Sequence, residues 1–205
     1  MYYCSIPCYG FGDKISGGDS VFLLTTDKEK SFYCNGYGEV LDVYKKITPT
    51  IKFNAQTNFA PVIKKSIETL KNDKEKILYI LVIIADSDVT NSKKQENIDA
   101  IIEASDYPLS IIVVGVGRNL KFLTFLFSIG DGPFGDIPKY SHIKGRKFDN
   151  VNNFFDLILN NQFTFVPYYE IISNDVPNQF KNFTSAAFHK IPQQYEDIQQ
   201  LKYLE

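Results

Sequence analysis

Arginine is almost absent from this chain. Two arginines stand against twenty lysines, which leaves no guanidinium cluster for phosphate or base-edge recognition, so a nucleic-acid partner is not expected. Long apolar runs are missing too. The longest, Ile77 to Ala85, has nine residues, about half of what crosses a bilayer, so direct membrane insertion is not expected. The opening Met1-Tyr2-Tyr3-Cys4 has neither the basic start nor the long apolar stretch of a signal peptide, and the expected location is cytoplasmic. Cysteine is scarce: three residues, Cys4, Cys8 and Cys34, all in the first 34 positions. An odd number does not build a disulfide framework and no Cys/His group has zinc spacing, so reduced, partly buried thiols are expected. His142 and His189 have no Ser or Cys elbow beside them, and surface or cap roles fit both better than catalysis. Gly115-x-Gly117 lacks the third glycine of a dinucleotide fingerprint.

What remains is a globular composition. The chain has 205 residues, 44% hydrophobic and 22% charged, with a formal net charge of −2. That suits a single domain over residues 1–205 with a real core. Tyr2 to Tyr9 reads as a strand, followed by the Gly10-Phe11-Gly12-Asp13 turn, and Val21 to Thr25 as a second strand antiparallel to it. Gly36 to Ile47 has a helical face of Val40, Leu41, Tyr44 and Ile47. A second helix over 59–72 carries Phe59, Val62, Ile63, Ile67 and Leu70, with Pro61 tolerated in its first turn. Ile77 to Ala85 shows no polar alternation, as in a parallel strand covered on both faces. A helix over 92–105 with a Ser92–Gln95 capping box and a second apolar strand, Leu109 to Val116, complete a βαβ unit. Phe163 to Ile172 reads as a last strand, and two terminal helices over 180–190 and 193–204 are separated by Pro192. The fold class is α/β.

Open α/β sheets place their ligands at the carboxyl ends of the strands. Asp86-Ser87-Asp88-Val89-Thr90 stands at such an end. An apolar strand followed by Asp-x-Asp-x-Thr has the pattern of a haloacid-dehalogenase-type phosphatase, in which Asp86 would attack phosphorus, Asp88 would act as general acid and Mg²⁺ would neutralise the phosphate. Asp131 and Asp136 imitate the later metal loop of such an enzyme. The stretch between Asp86 and Asp131 is too short for the remaining motifs, so this enzyme is the alternative reading and not the leading one.

A longer series of motifs is more specific. Gly10-Phe11-Gly12-Asp13, Cys34-Asn35-Gly36-Tyr37 and Thr57-Asn58-Phe59-Ala60-Pro61 occur in order. Val82-Ile83-Ile84-Ala85-Asp86 follows, then Ala104-Ser105-Asp106-Tyr107-Pro108-Leu109-Ser110-Ile111 into Val114-Gly115-Val116-Gly117, and finally Ile191-Pro192-Gln193-Gln194-Tyr195. Together they resemble the copine-type von Willebrand factor A domain, in particular the copine domain of plant-type RING ubiquitin ligases. The resemblance implies a doubly wound, mostly parallel sheet flanked by helices. It also implies a metal-ion-dependent adhesion site, where Mg²⁺ or a similar divalent ion takes a carboxylate from a protein partner. The metal threonine of the family falls on Thr57 and its later metal aspartate on Asp86. Without the family, Thr57 reads as a helix N-cap and Asp86 as a strand-end turn residue. The expected function is non-enzymatic protein binding, in a fragment of a larger copine or ubiquitin-ligase-related protein. No cysteine follows Cys34, so the zinc ligands of a RING are not among these residues.

The chain departs from the family in several places. The Asp-x-Ser-x-Ser at the end of the first, central strand of the family has no counterpart, since residue 2 aligns with the second strand. Tight binding of the ion by this chain alone is therefore not expected. Ser87 stands where a glycine is usual, and Arg118 to Gly130 intervene before Asp131-Gly132-Pro133-Phe134, as a retained intron would. A second insertion falls around Phe155 to Phe165. The absent strand would lie between the counterparts of Tyr2–Tyr9 and Ile77–Ala85, leaving two facing edges. Each buried unpaired backbone group costs about 1–3 kcal/mol against a whole stability of about 5–15 kcal/mol. The chain is expected to pair those strands directly, take a strand from a partner, or aggregate.

Overall fold

The computed structural model describes residues 5–25, 33–54, 56–75, 77–86, 89–116, 163–174, 176–200 and 202–204. Cys4, Asp88, Asp131, Asp136, His142 and the segment 118–130 fall outside them. Contacts divide the chain into two compact units, Met1–Lys65 with Val89–Ala100, and Ser66–Asp88 with Ile101–Glu205.

The first unit begins with four strands of three residues each: β1 (Ser5–Pro7), β2 (Tyr9–Phe11), β3 (Val21–Leu23) and β4 (Tyr33–Asn35). The single strand expected over Tyr2–Tyr9 is broken at Cys8. β1 pairs antiparallel with β4, and β2 pairs antiparallel with β3 in the register Tyr9↔Leu23, Gly10↔Phe22, Phe11↔Val21. Glycine is needed at position 10 because a Cβ there would fall 2.1 Å from the Phe22 ring. At Gly12 the backbone turns through φ +76°, a left-handed value that few other residues adopt. The turn is then tied down, with Lys14 N donating to Lys52 O at 2.8 Å and Asn54 N to Gly12 O at 2.8 Å.

Helix α1 (Gly36–Ile47) has the expected bounds but not the expected face. Val40, Val43 and Ile47 are half-buried, while Leu41 and Tyr44 point outward with Tyr37 and are exposed. Helix α2 (Ala60–Asn72) buries Val62, Ile63 and Ile67 along the predicted stripe. Helix α3 (Lys94–Ala104) starts later than its expected capping box, after a 3-10 turn over Asn91–Lys93. The Gln95 amide reaches along the helix to Asp99 at 2.8 Å.

The second unit holds a three-stranded parallel sheet in the order β5 (Tyr79–Ala85), β6 (Leu109–Gly115), β7 (Phe163–Pro167). Every residue of β6 is buried, the polar Ser110 included, as a predominantly apolar central strand requires. β5 corrects the matching expectation. Ile83 and Ala85 are buried, but Ile80, Val82 and Ile84 are 41%, 47% and 63% exposed. The register explains why. Ile80, Val82 and Ile84 lie beside Ser110, Ile112 and Val114 on one face of the sheet. There the apolar cluster of Ile112, Val114 and Val166 packs with residues of α4 (Tyr168–Asn174) and α5 (Gln179–Phe188), including Tyr168, Ile171, Phe183 and Ala187. That cover serves β6 and β7, and β5 stands at the edge beyond it.

The strand expected over Phe163–Ile172 ends at Pro167, and α4 begins at once. Phe163 to Phe165, placed in a second insertion by the sequence, belong to β7 and pair with Ile111 to Val113. Pro192 does not separate helices but lies in the first turn of α6 (Ile191–Gln200), where its missing N–H is tolerated. The described residues are mixed α/β and form three separate sheets rather than one, so a doubly wound sheet is not what their pairing displays. Direct pairing of the N-terminal strand with β5 is likewise not among the described ladders.

Candidate functional site

Thr57 lies in the loop before α2, and that loop is held by groups the sequence did not mark. Its backbone N–H donates to Thr90 Oγ1 at 2.9 Å, and its carbonyl oxygen accepts from Thr90 N at 3.0 Å. The two threonines thus exchange bonds across 33 residues, fixing the Thr57 backbone to the segment entering α3. Thr57 stands three residues before α2, and the first amide of that helix is held by Asn58, whose Oδ1 accepts from Ala60 N at 3.0 Å.

Asn58 is 1% exposed and Asn97 4%, and such deep amides must be fully partnered to be tolerated. They partner each other: Asn97 Nδ2 donates to Asn58 Oδ1 at 2.8 Å and to Lys93 O at 2.8 Å. Asn97 Oδ1 accepts the Phe59 N–H at 2.8 Å, an amide left over at the start of α2. Asn58 Nδ2 reaches Glu96 Oε2 at 3.1 Å, and Glu96 is flanked by Lys64 and Lys93, each at 3.6 Å. Lys93 also pairs with Asp19. Phe11 closes the apolar side, edge-on to Phe59 with ring centroids 5.8 Å apart. The residues missed by sequence reasoning are Asn58, Thr90 and Asn97. A signal existed for the last, since Asn97 is four residues before Ile101, on the apolar stripe of α3.

Asp13 is also buried, in the turn after β2. Its carboxylate accepts the Ser16 N–H at 2.8 Å and the Ser16 hydroxyl. Burial alone pushes this carboxyl up, but the hydrogen bonds from Ser16 and its neighbours outweigh burial and hold it below the usual carboxylate range. Asp13 is a turn-locking residue.

Asp86 directly follows β5, at the carboxyl end of a parallel strand, and is exposed to solvent. Thr57 belongs to the first compact unit and Asp86 to the second. Among the described residues no group of three or more His, Cys, Asp or Glu side chains is arranged to hold a metal ion. What Thr57 and Asp86 share is donor chemistry, hard oxygen of the kind Mg²⁺ prefers. No helix among the described residues is long and apolar enough to cross a membrane.

Known proteins bear directly on these motifs. The Copine family model matches residues 4–205. "Copine family protein 2" of Caenorhabditis elegans is 39% identical over 198 residues, covering 96% of this chain and 2% of its own length. "E3 ubiquitin-protein ligase RGLG5" of Arabidopsis thaliana is 34% identical over 93% of this chain, and "E3 ubiquitin-protein ligase RGLG2" of the same plant is 34% identical over 97%. The chain spans 40% and 39% of the lengths of those two relatives. A match running through the glycine turn, the Thr57 loop, β5 and β6 and on to the C-terminal helices leaves one conclusion: the chain belongs to the copine family.

Proposed function

We propose that this chain is a non-enzymatic protein-interaction domain built on the doubly wound A-type sandwich. In this reading a divalent ion at Thr57 and Asp86 takes a carboxylate from the partner protein. The observation that carries it is the family match over nearly the whole chain. The position of Asp86 after β5 supports it, because strand ends of this kind gather ligands. The bonded frame of Thr90, Asn58 and Asn97 is what a ligand-bearing loop needs, since it fixes the Thr57 backbone and the start of α2. In a copine or ubiquitin-ligase-related protein the domain selects the partner, and any ubiquitin transfer is performed by a RING elsewhere.

Two protein oxygens leave Mg²⁺ largely water-coordinated, so the ion alone is held weakly and the carboxylate of the partner completes the site. Titrating Mn²⁺ into the metal-free chain, followed by water proton relaxation, is expected to show weak, millimolar-range binding that Asp86→Ala removes. Binding that is indifferent to Asp86→Ala would overturn the site, and a micromolar site would overturn its incompleteness. A phosphate-release assay with Mg²⁺ is expected to give no turnover. Release that depends on Asp86 and Asp88 would replace the binding module by the phosphatase.

A further inference from the structure

Two large apolar side chains of the first unit stand almost free of cover: Ile15 is 95% exposed and Phe53 71%. The backbone brings their segments together. Asp13 and Phe53 form an isolated antiparallel bridge, flanked by the bonds from Lys14 N to Lys52 O and from Asn54 N to Gly12 O. In that register Lys14 stands directly opposite Lys52. Both lysines are exposed, and like charges at facing positions repel. Among the described residues no carboxylate pairs with either ammonium. The two acids of the turn are engaged elsewhere, Asp13 with Ser16 and Asp19 with Lys93. Between Asp42 and Glu68 the chain carries no acid at all. The turn is also held against the Thr57 loop. A Cβ on Gly18 would meet the Gln56 side chain at 3.4 Å, and one on Gly12 the Gln56 carbonyl oxygen at 3.7 Å. Gln56 directly precedes Thr57, and Lys52 and Phe53 precede it by five and four residues.

We infer that Lys14, Ile15, Lys52 and Phe53 form a docking surface beside the Thr57 loop, and that it takes an acidic polypeptide segment bearing aromatic or apolar side chains. Carboxylates of the segment neutralise the facing lysines, which have no acid of their own, and its apolar side chains cover Ile15 and Phe53. Repulsion between the lysines and the hydration of two bare apolar groups are both relieved only when such a segment is bound. The inference rests on the proposed reading of Thr57, because the same segment then supplies the carboxylate offered to the ion. An anionic bilayer has the same charge, but a polypeptide can run from the lysine pair to the adjoining loop with a carboxylate at each. The surface is ready-made. The Asp13 carboxylate holds the Ser16 N–H at 2.8 Å, and Gly17 N donates to Asp13 O at 3.1 Å, so the turn that carries Lys14 and Ile15 is braced on both sides.

The probe is a fluorescein-labelled random copolymer of glutamate and tyrosine, compared with polyglutamate and with phosphatidylserine vesicles. Binding to the full chain is followed by anisotropy, or by co-sedimentation for the vesicles, at low salt in EDTA and then with Mn²⁺. In EDTA the copolymer is expected to bind more tightly than polyglutamate and to be released by high salt. Lys14→Glu with Lys52→Glu should weaken it about tenfold. Ile15→Ser with Phe53→Ser should remove its advantage over polyglutamate. The chain has no tryptophan, so Phe53→Trp supplies a single reporter whose emission should shift to the blue with the copolymer. Phe180→Trp, at a position 79% exposed on α5, should not shift. Mn²⁺ should tighten binding further, and Asp86→Ala should remove that increment alone. An increment indifferent to Asp86→Ala, with the lysine effect intact, would overturn the ion site and leave the docking surface standing. Copolymer binding indifferent to the lysine and serine variants, or an equal shift from the two tryptophans, would overturn the surface. Vesicle binding without copolymer binding would replace the polypeptide by a bilayer.

Discussion

Ile83 and Ile84 are neighbours in one strand, chemically identical, and 2% and 63% exposed. Replacing each with alanine removes the same three carbons, worth about 0.8 kcal/mol each when fully buried. At Ile83 that is about 2.4 kcal/mol, to which the cavity left in a packed interior adds about 1 kcal/mol or more. At Ile84, where roughly a third of the residue is covered, the same arithmetic gives about 1 kcal/mol and no cavity. Loss of the β-branched side chain penalises both by up to about 1 kcal/mol. The informative quantity is therefore the difference, about 2–3 kcal/mol, or roughly 4–12 °C in melting midpoint for a chain of this size. Urea and thermal unfolding, followed in far-UV and near-UV circular dichroism, would measure it. A lysine pair sharpens the contrast, since Ile84→Lys should fold and Ile83→Lys should not. Equal losses from the two alanine variants, or unfolding of Ile84→Lys, would refute the account. They would mean that β5 is covered on both faces, as its sequence suggested.

Three further outcomes follow from the same geometry. Asn97→Ala leaves the buried Phe59 N–H without its acceptor and removes one of two donors from Asn58 Oδ1, which keeps the Ala60 N–H. It should cost about 1–3 kcal/mol in chemical denaturation, the penalty of one orphaned buried group. Thr90→Val keeps the shape but deletes the acceptor of the Thr57 N–H, and should speed amide hydrogen exchange at Thr57 while β6 amides keep their protection. Asp13 titrates lower when folded than unfolded, so its contribution is fully present above the ordinary carboxylate range and is lost as pH falls through the lower folded value. Asp13→Asn should therefore lose stability near neutrality and show a flatter acid limb in a urea-midpoint profile, and parallel profiles would contradict it.

Much of this protein was legible from its residues. Helix α1 came with its correct bounds, because Gly36 and Pro49 punctuate an otherwise periodic run, and α2 came with its buried stripe. The largely apolar character of Leu109–Gly115 announced a central parallel strand, and the serial motifs announced the family. These features are local or nearly so, and chain order alone expresses them. The same apolar signal misled at Ile77–Ala85, since a sequence states which side chains seek cover and not whether a neighbour supplies it. Tertiary structure decided that α4 and α5 shelter β6 and β7 and leave the outer face of β5 open. It also turned α1 so that Val40 and Val43, not Leu41 and Tyr44, look inward. The frame of the candidate site was hidden for a related reason. Thr57 meets Thr90, and Asn58 meets Asn97, across more than thirty residues each. A hydrogen bond between distant residues leaves no periodicity in the chain. Only folding brings the donor to its acceptor, and only then does a polar residue on an apolar stripe become a partner rather than a defect.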